Sequence, residues 1–142
     1  MIQLILMAKK TWQEKMLGTK TWKVEKTDKD FADMPKGSKM LVATPVIVEE
    51  YIRNIPKGSS TTLQQMRKDL AAEYNADYTC PITSGIFLRI VAEAAYEQMM
   101  KGKPIKSIAP FWRMIDEKSP TAKKLTFGTE LLKKERKKEG LP

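Results

Sequence analysis

The chain has 142 residues, 42% hydrophobic and 30% charged, which suits one globular domain with a real core and is too short for two ordinary ones. Lysine and arginine number 26 against 17 acids, a formal net charge of +9, so polyanionic partners are favoured; nucleic acid is the commonest, and a merely solvated basic surface is the alternative. Histidine is absent and Cys80 is the single cysteine. That excludes Ser-His-Asp and Cys-His activation, histidine-containing zinc sites, cysteine metal clusters and an intramolecular disulfide.

Neither a metal nor a cofactor is therefore expected. The apolar run Met1–Met7 is too short to span a membrane and lacks the pattern of a signal peptide. A lone cysteine fits a reducing cytoplasm, and a cytoplasmic monomer is the expectation.

Residues 1–40 are lysine-rich and weakly periodic, and read as a basic N-terminal arm with little regular structure. Lys10-Thr11-Trp12 recurs as Lys20-Thr21-Trp22, too brief for a repeat architecture. Trp12 and Trp22 either pack on the domain or stack on a base; packing is favoured, because exposed tryptophans are uncommon. Residues 41–142 form the domain proper.

Thr44-Pro45 begins a first helix, with threonine as cap and proline at the first helical position. Val48, Tyr51, Ile52 and Ile55 make one buried stripe, and Pro56 and Gly58 stop it. A second helix spans Thr61–Tyr74, with a capping box from Thr61 and Gln64 or Thr62 and Gln65. Leu63, Met66, Leu70 and Tyr74 face inward, Arg67 and Lys68 outward, and Asn75-Ala76-Asp77 ends it. The free hydroxyls and amides at its start suit a phosphate as well as they suit plain capping.

Tyr78-Thr79-Cys80-Pro81-Ile82 reads as a link. Thr83 or Ser84 then caps a third helix, Thr83–Met100, with Ile86, Phe87, Ile90, Val91, Ala94 and Ala95 as its apolar face. Arg89, Glu93 and Glu97 share another face, where Arg89 either pairs with Glu93 or enters DNA. Cys80 stands before a helix, where a thiol can be activated. With no histidine to assist it, it reads as a small buried hydrophobe. The second and third helices form a helix-turn-helix.

Beyond a basic connector comes Pro110-Phe111-Trp112-Arg113, two large aromatics between a rigid residue and a fixed cation. Asp116–Lys124 reads as a polar loop. A last helix from Gly128 to Glu139 turns Leu131 and Leu132 inward and ends at Gly140.

Four of these pieces, in order, resemble the DNA-binding domain of the alkylguanine-DNA alkyltransferases. Ile55-Pro56-x-Gly58-x-x-x-Thr62 is similar to the family's opening Ile-Pro-x-Gly-x-Val-x-Thr-Tyr-Gly. Arg89-Ile90-Val91-Ala92-Glu93-Ala94 resembles its Arg-Ala-Val-Gly-x-Ala recognition helix. Pro110-Phe111-Trp112-Arg113 stands where the family has Pro-Cys-His-Arg, and Leu131-Leu132-x-x-Glu135 resembles its closing Leu-Leu-x-x-Glu. The resemblance implies a mainly α, winged-helix-like helix-turn-helix domain that binds duplex DNA.

In that family the cysteine accepts the alkyl group of a flipped-out guanine, the histidine acts with a carboxylate through water, and the helix arginine fills the gap in the duplex. Here Phe111 replaces the acceptor and Trp112 the base, so alkyl transfer is not expected. What remains resembles the alkyltransferase-like proteins, non-enzymatic DNA binders. The resemblance implies DNA contacts at Thr62, Arg89 and Arg113 and a base pocket of Pro110, Phe111 and Trp112; the helix caps Thr61, Thr83 and Ser84 and the outward Lys68 are further expected phosphate contacts. DNA, alkylated or not, is the implied partner, with a repair protein as a second. The alternative is a basic helix-turn-helix module that binds nucleic acid or protein without base flipping, its two rings simply core.

Overall fold

The computed structural model describes residues 10–19 and 21–142; the Met1–Met7 run and Lys20 lie outside the described residues. Thr11 caps a one-turn helix α1 (Trp12–Met16), its hydroxyl accepting from the Glu14 amide while the Glu14 carboxylate accepts from the Thr11 amide. A three-stranded sheet follows in the order β1-β2-β3: β1 (Lys23–Lys26) pairs antiparallel with β2 (Lys39–Val42), Lys26 opposite Lys39, and β2 pairs in parallel with β3 (Tyr78–Thr79), Leu41 opposite Thr79. Between β2 and β3 run α2 (Pro45–Arg53) and α3 (Leu63–Glu73). Then come α4 (Pro81–Met100), two 3-10 turns at Ile105–Ser107 and Phe111–Arg113, α5 (Pro120–Lys124) and α6 (Glu130–Lys138). The chain is mainly helical, as its periodicity predicts.

Local chemistry accounts for most helix ends. Thr44 accepts from the Ile47 amide with Pro45 behind it. Thr62 accepts from the Gln65 amide. The box is half-built, because the Gln65 side chain bonds Asp69 instead. Asn75 stops α3 in the left-handed region, φ 55°, which asparagine tolerates better than most residues. Helix α6 ends on paired bonds, Leu141 amide to Arg136 carbonyl and Gly140 amide to Lys137 carbonyl, with Gly140 at φ 72°.

Four expectations are corrected here. The N-terminal segment is not an unstructured arm: α1 packs on α4, β1 joins the sheet, and the division at residue 40 falls inside β2. Helix α4 starts two residues earlier than expected, with Pro81 first; Ser84 does not cap it but donates to the Cys80 carbonyl at 2.6 Å. The loop after Asp116 contains α5, capped by Ser119. Arg67 does not point freely outward; its Nε donates to the Thr79 carbonyl.

The core gathers around α4, which α1, α2, α3, α5 and the Phe111–Arg113 turn all touch. Contact on so many sides blurs the apolar stripe. Leu88 and Ala92, outside the expected stripe, are 2% and 0% exposed, while Ile86, inside it, is 52% exposed. Burying a side chain such as Leu88 contributes roughly 1.5–3 kcal/mol, and Ile86 forgoes much of that. Cys80 is buried, as its sequence context predicts.

Ile52 of α2 is fully buried in this core. Ile52→Ala should destabilise the fold by about 2–5 kcal/mol, measured as a lowered midpoint in denaturant unfolding.

Candidate nucleic-acid interface

Two of the four resemblance segments, Ile55–Gly58 and Pro110–Arg113, meet at one carboxylate past the closing helix. Glu139, at the end of α6, has a side chain only 5% exposed. Arg113 grips it with a fork, Nε to Oε1 at 2.9 Å and Nη2 to Oε2 at 3.0 Å. The third arm of that guanidinium, Nη1, donates to the Ile55 carbonyl at 2.8 Å. Trp112 donates its indole N–H to Glu139 at 2.7 Å, and the Gly58 amide donates at 2.9 Å. Gly58 sits at φ +84°, a backbone that suits glycine. The Thr61 amide closes the knot on the Arg113 carbonyl at 2.9 Å.

Burial alone would raise the Glu139 carboxyl's pKa. The hydrogen bonds from Arg113, Gly58 and Trp112, with the Arg113 charge, outweigh it and hold the group down to about 2.

The ring pair faces inward. Phe111 is 0% and Trp112 4% exposed. Phe111 meets Trp112 edge-on at 5.4 Å and Phe127 at 5.7 Å, and Phe127 stacks on Tyr96 at 4.2 Å. A shallow cavity of about 170 Å³ is bordered by Pro110 and Trp112 but not by Phe111. The expected base pocket of Pro110, Phe111 and Trp112 is therefore corrected to a packed part of the core. Arg113, expected on DNA, has every arm engaged within the fold and only 14% of its side chain exposed.

The other expected contacts scatter. Ser84 is 1% exposed and committed to Cys80. Thr83 Oγ1 is buried without a hydrogen-bond partner. Thr61 borders a cleft of about 330 Å³ that also holds Glu50 and Glu73, two acids that would repel a phosphate. Thr62 and Lys68 are exposed on α3.

Arg89 stands apart. It borders a groove of about 620 Å³ between α1, the first half of α4 and α5. Lys15, Arg89 and Lys124 line this groove together with Trp12, Ile82 and Ile86, and no acid is among the lining residues. The Arg89 guanidinium carbon lies 5.3 Å from the Trp12 ring centre, and Lys15 Nζ lies 4.1 Å from the same ring. Arg89 Nε is 3.7 Å from Glu93, an ion pair too long for a hydrogen bond, and that buried nitrogen has no hydrogen-bond partner among the described residues. Glu93 also accepts from the amide and hydroxyl of Thr126, at 2.9 and 2.6 Å.

Sequence reasoning favoured packing for Trp12, which does pack against the core, but missed its place beside Arg89, and it missed Glu139 altogether. The first lies outside the resemblance. The second is four residues past Glu135, on which the resemblance settled; the only signal for it is the following Gly140. Among the described residues no three His, Cys, Asp or Glu cluster to hold a metal, and no helix is long and apolar enough to cross a membrane. No family model, curated protein or solved structure matches the chain.

Stability should report on Glu139. Its folded pKa lies below the ordinary carboxylate value of 4.5, so its stabilising contribution is full above about pH 4.5 and is lost as pH falls towards about 2. Glu139→Gln should lower the melting temperature at pH 7 and flatten the acid limb between those values, read by circular dichroism melts across pH.

Proposed function

We propose that the protein is a non-enzymatic DNA-binding protein of alkyltransferase-like type. In this reading α3 and α4 are the two helices of a winged-helix-like helix-turn-helix, and α4 is the recognition helix. The observation that carries it is a groove lined by Lys15, Arg89 and Lys124, with Arg89 also 3.7 Å from Glu93, on a chain with net charge +9. The joining of two resemblance segments supports it: Ile55–Gly58 and Pro110–Arg113 are held together by Glu139, just past the closing helix.

Chemistry argues against an enzyme. Alkyl transfer needs a thiolate and a proton acceptor, and Phe111 and Trp112 supply neither. Cys80 is buried and lies beside a different cavity from the one Arg89 lines.

Burial of the rings favours the version in which no base is inserted between Phe111 and Trp112. Lysines and Arg89 hold phosphates, and Lys68 and Thr62 extend that contact on α3. The protein acts as a monomer on duplex DNA; a repair protein that reads the complex is its second partner.

The test is binding to a fluorescent duplex, with and without an alkylated guanine, across a salt series. Log affinity should fall linearly with log salt, with a slope of about −0.9 for each phosphate neutralised. Arg89→Ala should weaken binding roughly tenfold or more. Salt-independent binding, or an unchanged affinity in the variant, would sink the proposal.

A further inference from the structure

Helices α2 and α3 bring the same three residue types, at the same spacing, to one cleft. Helix α2 supplies Ile47, Glu50 and Tyr51, and α3 with its cap supplies Leu70, Glu73 and Tyr74. Positions i, i+3 and i+4 share a helix face, so each helix delivers an aliphatic side chain, a carboxylate and a phenol together. The cleft measures about 330 Å³, the size of a small-ligand site. No lysine or arginine is among its lining residues, although the chain holds 26 of them.

The charges of this cleft are uncompensated. Among the described residues neither Glu50 nor Glu73 forms an ion pair. Both act on one ring: burial raises the Tyr74 phenol's pKa, and the Glu73 and Glu50 carboxylates raise it further. Tyr51 donates its hydroxyl proton to Asp69, and burial and that bond push its pKa up to about 12. Its ring therefore stays neutral and its oxygen is left to accept.

The cleft is also preformed. The Ile55 carbonyl accepts from Arg113 Nη1 at 2.8 Å, and the Thr61 amide donates to the Arg113 carbonyl at 2.9 Å, so the knot at Glu139 pins the segment that joins α2 to α3. Trp22 lies edge-on to Tyr74 at 4.7 Å and braces its ring. Among the described residues no three His, Cys, Asp or Glu cluster to hold a metal, and the two acids repel phosphate. The complementary occupant is one organic cation on a short apolar stem, its charge at the carboxylates and phenols and its stem on Ile47, Ile55 and Leu70.

We propose that this cleft binds an alkylammonium or guanidinium group, held by Glu50 and Glu73 and flanked by Tyr51 and Tyr74. The proposal goes beyond the DNA-binding reading and does not rest on it. One chemistry has two sources, a free amine and a basic side chain of another protein, and the experiment separates them.

The full chain is titrated calorimetrically with n-butylammonium, with n-butanol as the neutral control of equal stem, and with the tripeptide acetyl-Gly-Lys-Gly-amide. The parent should bind a cation saturably and should not bind the alcohol. Glu50→Gln with Glu73→Gln, both at exposed positions, should weaken cation binding about tenfold, with melting curves showing that the variant folds. Glu117→Gln with Glu130→Gln removes the same charge elsewhere and should leave the affinity unchanged. Tighter binding of n-butylammonium than of the tripeptide supports the cleft with a free amine as its ligand, and the reverse order supports it with a protein side chain.

A parent that binds neither cation, or binds the alcohol equally well, overturns the proposal. So does a cleft variant that binds like the parent, or a loss of equal size in the Glu117 and Glu130 control. Duplex binding through Arg89 is measured separately, so either reading can fail while the other stands.

Discussion

One carboxylate sets the geometry of the C-terminal half. Glu139 accepts from Arg113, Trp112 and Gly58, so the turn after α2, the Phe111–Arg113 turn and the end of α6 are fixed to a single point. A charge this far from water is tolerated only when its partners are complete. Here they are: Arg113 spends its remaining arm on Ile55, and Arg136 ties the Trp112 carbonyl at 2.6 Å. The aromatic pair is held by polar bonds at its edges as well as by packing, which keeps both rings within the core.

Two more carboxylates do similar work at the other end. Glu97 receives the first two amides of α1, and Glu93 receives Thr126. Both project from α4, so one long helix anchors a segment before it in sequence and a segment after it. The groove at Arg89 is the gap that remains between those two segments. Its shape follows from where α4 places its acids, and on its rim Glu93 also lies 3.7 Å from Arg89.

Helices α2, α3 and α6 were legible because their signals are local: Thr44-Pro45 at one start, Thr62 at another, Asn75 and Gly140 at two ends. Helix α4 was legible in place and length, but its buried face was not, because neighbours press on several sides and no single stripe survives. The sheet was hidden, since Lys23–Lys26 is mostly charged and its strand character comes from pairing with β2. Helix α1, five residues long, depends on Glu97, far away in sequence. Arg89 was readable as a cation on a helix face. The burial of Phe111 was readable only as the alternative in which both rings are core, and the inward turn of Arg113 was not readable, because Glu139 decides it at long range.

The three tryptophans occupy three different settings. Trp112 is buried and hydrogen-bonded to a carboxylate, and Trp22 lies edge-on to Tyr74, 45% exposed. Only Trp12 borders the groove, with a cation close to its ring on either count. The molecule thus carries a built-in optical reporter: an occupant that shifts Lys15 or Arg89 changes the electric field on one indole and leaves the emission of Trp112 as an internal standard.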